Sequence, residues 1–197
     1  AQVVSWEDTN RAISRVGGTP CVVKSTEGTH GAGVFLAKTE QHARQLVYQM
    51  LEREMRPLVQ EYIEESHGKD IRALVVGGKV VACMRRRANG DEFRSNFHLG
   101  GSVEKVQINP DFEKIAIKAA RILGLEIAGV DLLESDRGAL VLEVNSSPGL
   151  EGIEKASQVN VAGAVSNRLN YLLQKNADSI NQNHQANNVD EKFQADS

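Results

Sequence analysis

Three oxygen-bearing side chains, Asp131, Glu143 and Asn145, have the spacing to share a site. Residues two apart on a strand point to one face, so Glu143 and Asn145 go together. Ser135-Asp136-Arg137-Gly138 reads as a turn. Folding the chain about it sets Asp131 roughly opposite Glu143. The neighbours Val130, Leu132, Leu142 and Val144 then face a core. Hard oxygen donors in this arrangement suit Mg²⁺ or Mn²⁺, completed by nucleotide phosphates and water. The alternative is a solvated sheet face. Such a face more naturally mixes charge signs, and Glu143-Val144-Asn145-Ser146-Ser147-Pro148-Gly149 is an unusual strand end.

A second group is Lys24 followed by Glu27-Gly28-Thr29-His30-Gly31-Ala32-Gly33. Glycines at this density let backbone N–H groups approach an anion, and a lysine ending the preceding strand would sit beside the same anion. A flexible hairpin loop has the same composition, and the residues alone leave both readings open. No Gly-Lys-Ser/Thr follows, so this is not a Walker loop. A third group is Arg94-Ser95-Asn96, preceded by Arg85-Arg86-Arg87. Arginine forks clamp phosphates and neutralise charge during phosphoryl transfer. The run of three reads first as a solvated strand edge. His30, His67 and His98 lack metal-ligand spacing, and Ser146 and Ser147 have no His/Asp context for nucleophilic work.

These groups need elements to hold them. A short helix is expected from about Ser5 to Val16, then strands at Cys21-Val22-Val23-Lys24 and Val34-Phe35-Leu36-Ala37. Thr39 reads as an N-cap for a helix over 40–55, stopped by Pro57. A strand follows at 58–63. Gly77-Gly78 joins two strand-like runs, 70–76 and 79–85, the strongest hairpin signal in the chain. Pro110 opens a helix, the runs 127–133 and 139–144 form a second hairpin, and a last helix covers 159–175. Hairpins and separate helices make the class α+β. The expected division is a first lobe over 1–62, a second over 63–175, and a polar tail over 176–197. That tail is rich in Asn, Gln and Asp, and is expected to be disordered because it cannot bury enough apolar surface.

The 197 residues suffice for one domain or two associated lobes. With 41% apolar and 25% charged residues the chain has an ordinary globular composition. A net charge of −3 gives no reason to expect nucleic-acid binding. No run reaches membrane-spanning length and no signal-peptide pattern opens the chain. Cys21 and Cys83 sit in apolar runs and read as reduced core residues of a cytoplasmic protein.

In order and spacing the groups resemble the ATP-grasp superfamily, and most closely its RimK type, which adds glutamate to the C-terminus of a ribosomal small-subunit protein. The stretches carrying the likeness are Val22-Val23-Lys24, the glycine loop through Val34, Val59-Gln60-Glu61-Tyr62-Ile63, Asp70-Ile71-Arg72, Phe93-Arg94-Ser95-Asn96, Ala128-Gly129-Val130-Asp131 and the run from Glu143 to Glu154. They span about Gly17 to Leu173. The chain begins inside the family pattern, so the domain that precedes it in such ligases is expected to be absent. Leu99 stands where the family often carries a basic residue, and Gln158 and Asn160 also depart from it.

The resemblance implies two α+β lobes with mainly antiparallel sheets gripping ATP. It implies that Lys24 and the loop residues Glu27, Gly28, Gly31 and Gly33 serve the phosphates. Glu61 and Tyr62 would take the adenine and Asp70 the ribose. Arg94, Ser95 and Asn96 would line the nucleotide, with Arg94 and Asn96 as the catalytic pair at the transferred phosphate. Asp131, Glu143 and Asn145 would hold Mg²⁺ or Mn²⁺, as two ions. The implied reaction is ATP-dependent amide formation through an acylphosphate, with L-glutamate as amine and a ribosomal small-subunit protein's C-terminus as partner. A related ligase with other substrates, and a nucleotide-binding module without turnover, are the alternatives. An assembly of identical subunits is left open.

Overall fold

The computed structural model describes residues 1–26, 33–95 and 100–195, with side chains described through residue 179. A single 3₁₀ turn, Trp6–Asp8, leads into α1 (Thr9–Arg15). Then come β1 (Cys21–Ser25), β2 (Val34–Ala37), α2 (Glu40–Leu51) and β3 (Pro57–Glu61). After a 3₁₀ turn at Glu64–Ser66 follow β4 (Lys69–Val76), β5 (Lys79–Arg87), β6 (Ser102–Lys105), α3 (Pro110–Ile122), β7 (Ile127–Ser135), β8 (Gly138–Asn145), α4 (Glu151–Ser157) and α5 (Val161–Ala195). The strands form two sheets, ordered β2-β1-β3 and β6-β5-β4-β7-β8. The class is α+β, as expected.

By packing, the chain divides into two compact units. The first comprises Ala1–Ile71, Arg85–Glu104 and Leu132–Leu142; the second comprises Arg72–Met84, Lys105–Asp131 and Glu143–Ser197. The units cut across β4, β5, β7 and β8, whereas the sheets change over between β3 and β4, near residue 62.

The first unit holds a three-stranded antiparallel sheet in which Val23 pairs with Phe35 on one side and Val59 on the other. Its core gathers Ile13 from α1, Cys21 and Val23 from β1, and Leu46, Val47 and Met50 from α2. Those three α2 positions repeat at helical spacing, which is why the helix lies with one face on the sheet. Thr39 caps α2 by accepting from the His42 N–H at 3.2 Å. The helix stops at Leu51, four residues short of expectation. Glu54 takes φ +57° there, the Met55 N–H returns to the Met50 carbonyl (3.0 Å), and the Glu54 N–H to the Leu51 carbonyl (2.9 Å). This pair of bonds closes a helix end and is usually built on glycine. A non-glycine residue in that role hid the stop.

In the second unit, Ala73 through Val76 of β4 and Ala128 through Val130 of β7 include no exposed residue. Gly77 and Gly78 both take positive φ, +57° and +76°, as the two-residue turn between β4 and β5 requires. Asn109 caps α3 by accepting from the Asp111 N–H at 2.9 Å, with Pro110 in the first turn. The backbone of α5 is helical through Ala195. Neither Gly nor Pro follows Gly163, so nothing in the sequence breaks the helix. No helix among the described residues is long and apolar enough to cross a membrane.

Candidate functional site

The first unit carries the residues expected at the nucleotide. Lys24 lies on β1, half-buried, paired in register with Val34 and Leu58. The Gly33 carbonyl accepts from the Ser25 N–H at 3.2 Å, which closes the base of the glycine loop. Glu27, Gly28 and Gly31 lie outside the described residues, as does Asn96. Glu61 ends β3 and is ion-paired with Arg137 at 2.7 Å. The Tyr62 hydroxyl hydrogen-bonds the His67 Nδ1, with the two rings edge to face at 6.1 Å. Burial pushes the Tyr62 hydroxyl pKa up, with the charge of Glu64 adding to the shift.

Asp70 is the second residue of β4 and is 2% exposed. Its carboxylate is forked by Arg86: Nε donates to Oδ1 at 2.7 Å, and Nη2 donates to Oδ2. Successive residues of β5 point to opposite faces, so Arg86 turns inward. Arg85 reaches Glu134 at 2.8 Å, and Arg87 reaches Glu104 at 2.8 Å. The arginine run expected as one solvated edge is therefore split. One member is buried and paired, and its neighbours hold carboxylates of β6 and β7.

Gly68, two residues before Asp70, ties in the segment that bears Arg94. Its N–H donates to the Phe93 carbonyl at 3.2 Å, and its own carbonyl accepts from the Ala88 N–H at 2.7 Å. Arg94 is held by Glu92 through three bonds: its Nε (2.9 Å) and backbone N–H (3.0 Å) to Oε1, and its Nη2 (2.7 Å) to Oε2. Ser95, next along, is half-buried. The Arg94 side chain's hydrogen bonds pull the Glu92 carboxyl down to about 2 against the opposing effect of burial. A carboxylate with a lowered folded pKa stabilises the fold above its ordinary pKa range and loses that contribution as pH falls toward 2. Carboxyl-detected NMR titration is expected to place the Glu92 midpoint near 2. Arg94→Ala is expected to return it toward 4.5, the ordinary value.

The second unit carries the oxygen donors. Asp131 is 3% exposed on β7. Arg72 of β4 forks it, with Nε to Oδ1 and Nη2 to Oδ2 both at 2.7 Å. Glu143 is exposed and Asn145 half-buried on β8, the strand next to β7 in the sheet. Pro148 packs back onto β7, for a Cβ built on Gly129 would lie 2.7 Å from the Pro148 Cβ and 3.9 Å from the Arg72 Nε. Only a residue without a side chain fits at 129. The unusual strand end thus has a packing role: it pins the chain beyond Asn145 two residues before Asp131.

The donor set is all oxygen, with two carboxylates and an amide, which fits a hard divalent cation and not a soft one. No cluster of three or more His, Cys, Asp or Glu side chains gathers for metal binding among the described residues. The set has only two such groups, so phosphate and water oxygens would have to complete it. Arg72, Arg86 and Glu92 were given no role of their own from the sequence. Each pairs with an expected site residue; strand alternation was the only sequence signal for Arg72 and Arg86, and Glu92 lies on no strand.

The RimK-like ATP-grasp domain profile matches residues 2–169. A protein of Legionella pneumophila named "Probable alpha-L-glutamate ligase" is 49% identical over 180 residues, covering 91% of this chain and 58% of that protein. One of the same name from Aeromonas salmonicida is 53% identical over 161 residues, covering 82% of this chain and 54% of that protein. The chain therefore spans about half the length of the curated relatives it matches. Among solved structures, the ATP-grasp ligase PsnB complexed with a variant of its minimal precursor, Mg and ADP aligns with a TM-score of 0.63 at 24% identity, covering 86% of this chain and 51% of that one. A RimK domain ATP-grasp protein from Sphaerobacter thermophilus aligns at 0.61 and 22% identity, covering 85% and 59%. Both share the fold. On the profile match over most of its length, this chain belongs to the RimK-like ATP-grasp domain family.

Proposed function

We propose that the protein of which this chain forms the ATP-grasp part is a carboxylate–amine ligase that uses ATP to join L-glutamate to the C-terminus of a protein, in the first instance a ribosomal small-subunit protein. One observation supports the reading: inside a RimK-like domain, a buried carboxylate held by an arginine fork, Asp131, lies on the strand next to that of Glu143 and Asn145. An amide bond requires an activated carboxylate. The acceptor's carboxylate oxygen attacks the γ-phosphorus of ATP and ADP departs, leaving an acylphosphate. The glutamate nitrogen then attacks the acyl carbon, inorganic phosphate leaves, and the nitrogen loses a proton.

The chain's part is positioning and charge neutralisation. Lys24 and the glycine loop, with Glu27, Gly28, Gly31 and Gly33, take the phosphates. Glu61 and Tyr62 hold the adenine and Asp70 the ribose. Arg94, with Ser95 and Asn96, neutralises the transferred phosphate, and the Glu92 contact keeps its guanidinium oriented. Asp131, Glu143 and Asn145 hold Mg²⁺ or Mn²⁺, as two ions, which supply Lewis-acid neutralisation of the phosphate oxygens. The lobes are 1–62 and 63–175.

The test is to incubate the protein with ATP, Mg²⁺, glutamate and a peptide ending in the candidate C-terminus. Phosphate release and peptide mass are followed together. The expected result is a mass gain in glutamate units with matching phosphate release. Turnover that needs a different amino acid would replace glutamate in this reading. Nucleotide bound with no turnover under any amine would sink the ligase assignment.

A further inference from the structure

Asp131 combines two properties that pull against each other. It is the buried member of the oxygen donor set, and both of its oxygens already face a cation. An isolated carboxylate at this depth is costly unless paired. Arg72 supplies the pair, with one hydrogen bond to each oxygen at 2.7 Å and its own side chain 16% exposed. A planar fork of this kind uses the facing lone pair of each oxygen. A divalent cation needs carboxylate lone pairs too. A Cβ added at Gly129 would lie 2.7 Å from the Pro148 Cβ and 3.9 Å from the Arg72 Nε, so Pro148 packs close to the fork.

We infer that Arg72 is a stand-in cation: it neutralises Asp131 while the metal is absent and yields at least one oxygen when the metal enters. This rests on the assignment of Asp131 to the metal. It goes beyond that assignment by giving Arg72 an opposite sign of effect from a residue that merely aims a ligand. An aiming residue strengthens metal binding, so its removal weakens it. A stand-in competes, so its removal strengthens it. It also makes the metal-free protein more stable, because it places a cation against both oxygens of a buried carboxylate.

The experiment uses Mn²⁺ alone as probe, read by the free-ion EPR signal and by thermal melting in Mn²⁺ against EDTA. In EDTA, Arg72→Gln is expected to melt below wild type. Its Mn²⁺ affinity is expected to rise about tenfold, the worth of a charge-assisted contact released. Mn²⁺ is also expected to raise its melting temperature by more than it raises that of wild type. Arg72→Lys keeps the charge but cannot fork, so it moves in the same direction by less; it decides the matter if Arg72→Gln does not fold without metal. Mn²⁺ binding that is weaker or unchanged in the Arg72 variants overturns the stand-in role, and weaker binding makes Arg72 an aiming residue. Asp131→Asn separates the two levels of inference. If it binds Mn²⁺ as tightly as wild type, the metal assignment fails and the stand-in role falls with it.

Discussion

Glu143→Gln is expected to cut metal-dependent turnover of ATP by a hundredfold or more while leaving the fold as stable as wild type to within about 0.5 kcal/mol. The two halves of this expectation come from different observations. Glu143 is exposed near the end of β8, the last strand of its sheet. Exchanging one carboxylate oxygen for an amide there removes a charge that the core does not feel. A hard cation does feel it, because the amide is a neutral and weaker donor. Asp131 is a poorer choice for this test. Its replacement would leave the Arg72 guanidinium without its forked partner, so lost activity could not be told from lost structure. Turnover is measured as phosphate release at varied Mg²⁺, and stability by urea unfolding. Unchanged turnover in Glu143→Gln would show that the oxygen set does not hold the metal, whatever Asp131 does. Lost turnover with a large drop in stability would show that Glu143 has a structural partner.

What could be read from the sequence, and what could not, divides along the range of the interactions. Thr39, Asn109 and the Gly77-Gly78 turn act on residues within a few positions of themselves, and each was legible. The alternation of Asp131 against Val130 and Leu132 was legible as well, with a face of oxygen donors set apart from the face that packs in the core. Yet Asp131 is nearly as buried as its neighbours. The short helix α4 escaped notice because seven residues with Gly152 inside give little periodic signal. The pairs Arg72–Asp131, Arg85–Glu134 and Arg137–Glu61 join residues 59, 49 and 76 positions apart. No local pattern announces such partners. Residue chemistry could nominate the acidic groups of the site. Only the fold could say which cation answers each of them, and that decides whether a carboxylate is open to a ligand or already engaged.

The pair Asp70–Arg86 brings that question to its largest expected effect on stability. The Asp70 side chain is 1% exposed and that of Arg86 10%. Asp70→Ala is expected to cost about 3–5 kcal/mol, because it takes the forked carboxylate away from a buried guanidinium. Urea unfolding should show this as a fall in midpoint at an unchanged slope. Arg86→Met takes the fork away from the buried carboxylate and should cost about as much. Asp70→Leu combined with Arg86→Met removes both charges and should recover most of the loss, since a buried pair is stabilising mainly by comparison with a broken one. Additive losses in the double variant would instead mean that the two side chains stabilise the fold independently. The double variant also bears on the nucleotide. If Asp70 takes the ribose, a protein that has regained its stability still binds ATP weakly. If the carboxylate serves only Arg86, recovered stability brings recovered ATP affinity. Competition of ATP against a fluorescent nucleotide, measured on the double variant at a temperature well below its unfolding midpoint, distinguishes a buried strut from a ligand contact that has been given a second job.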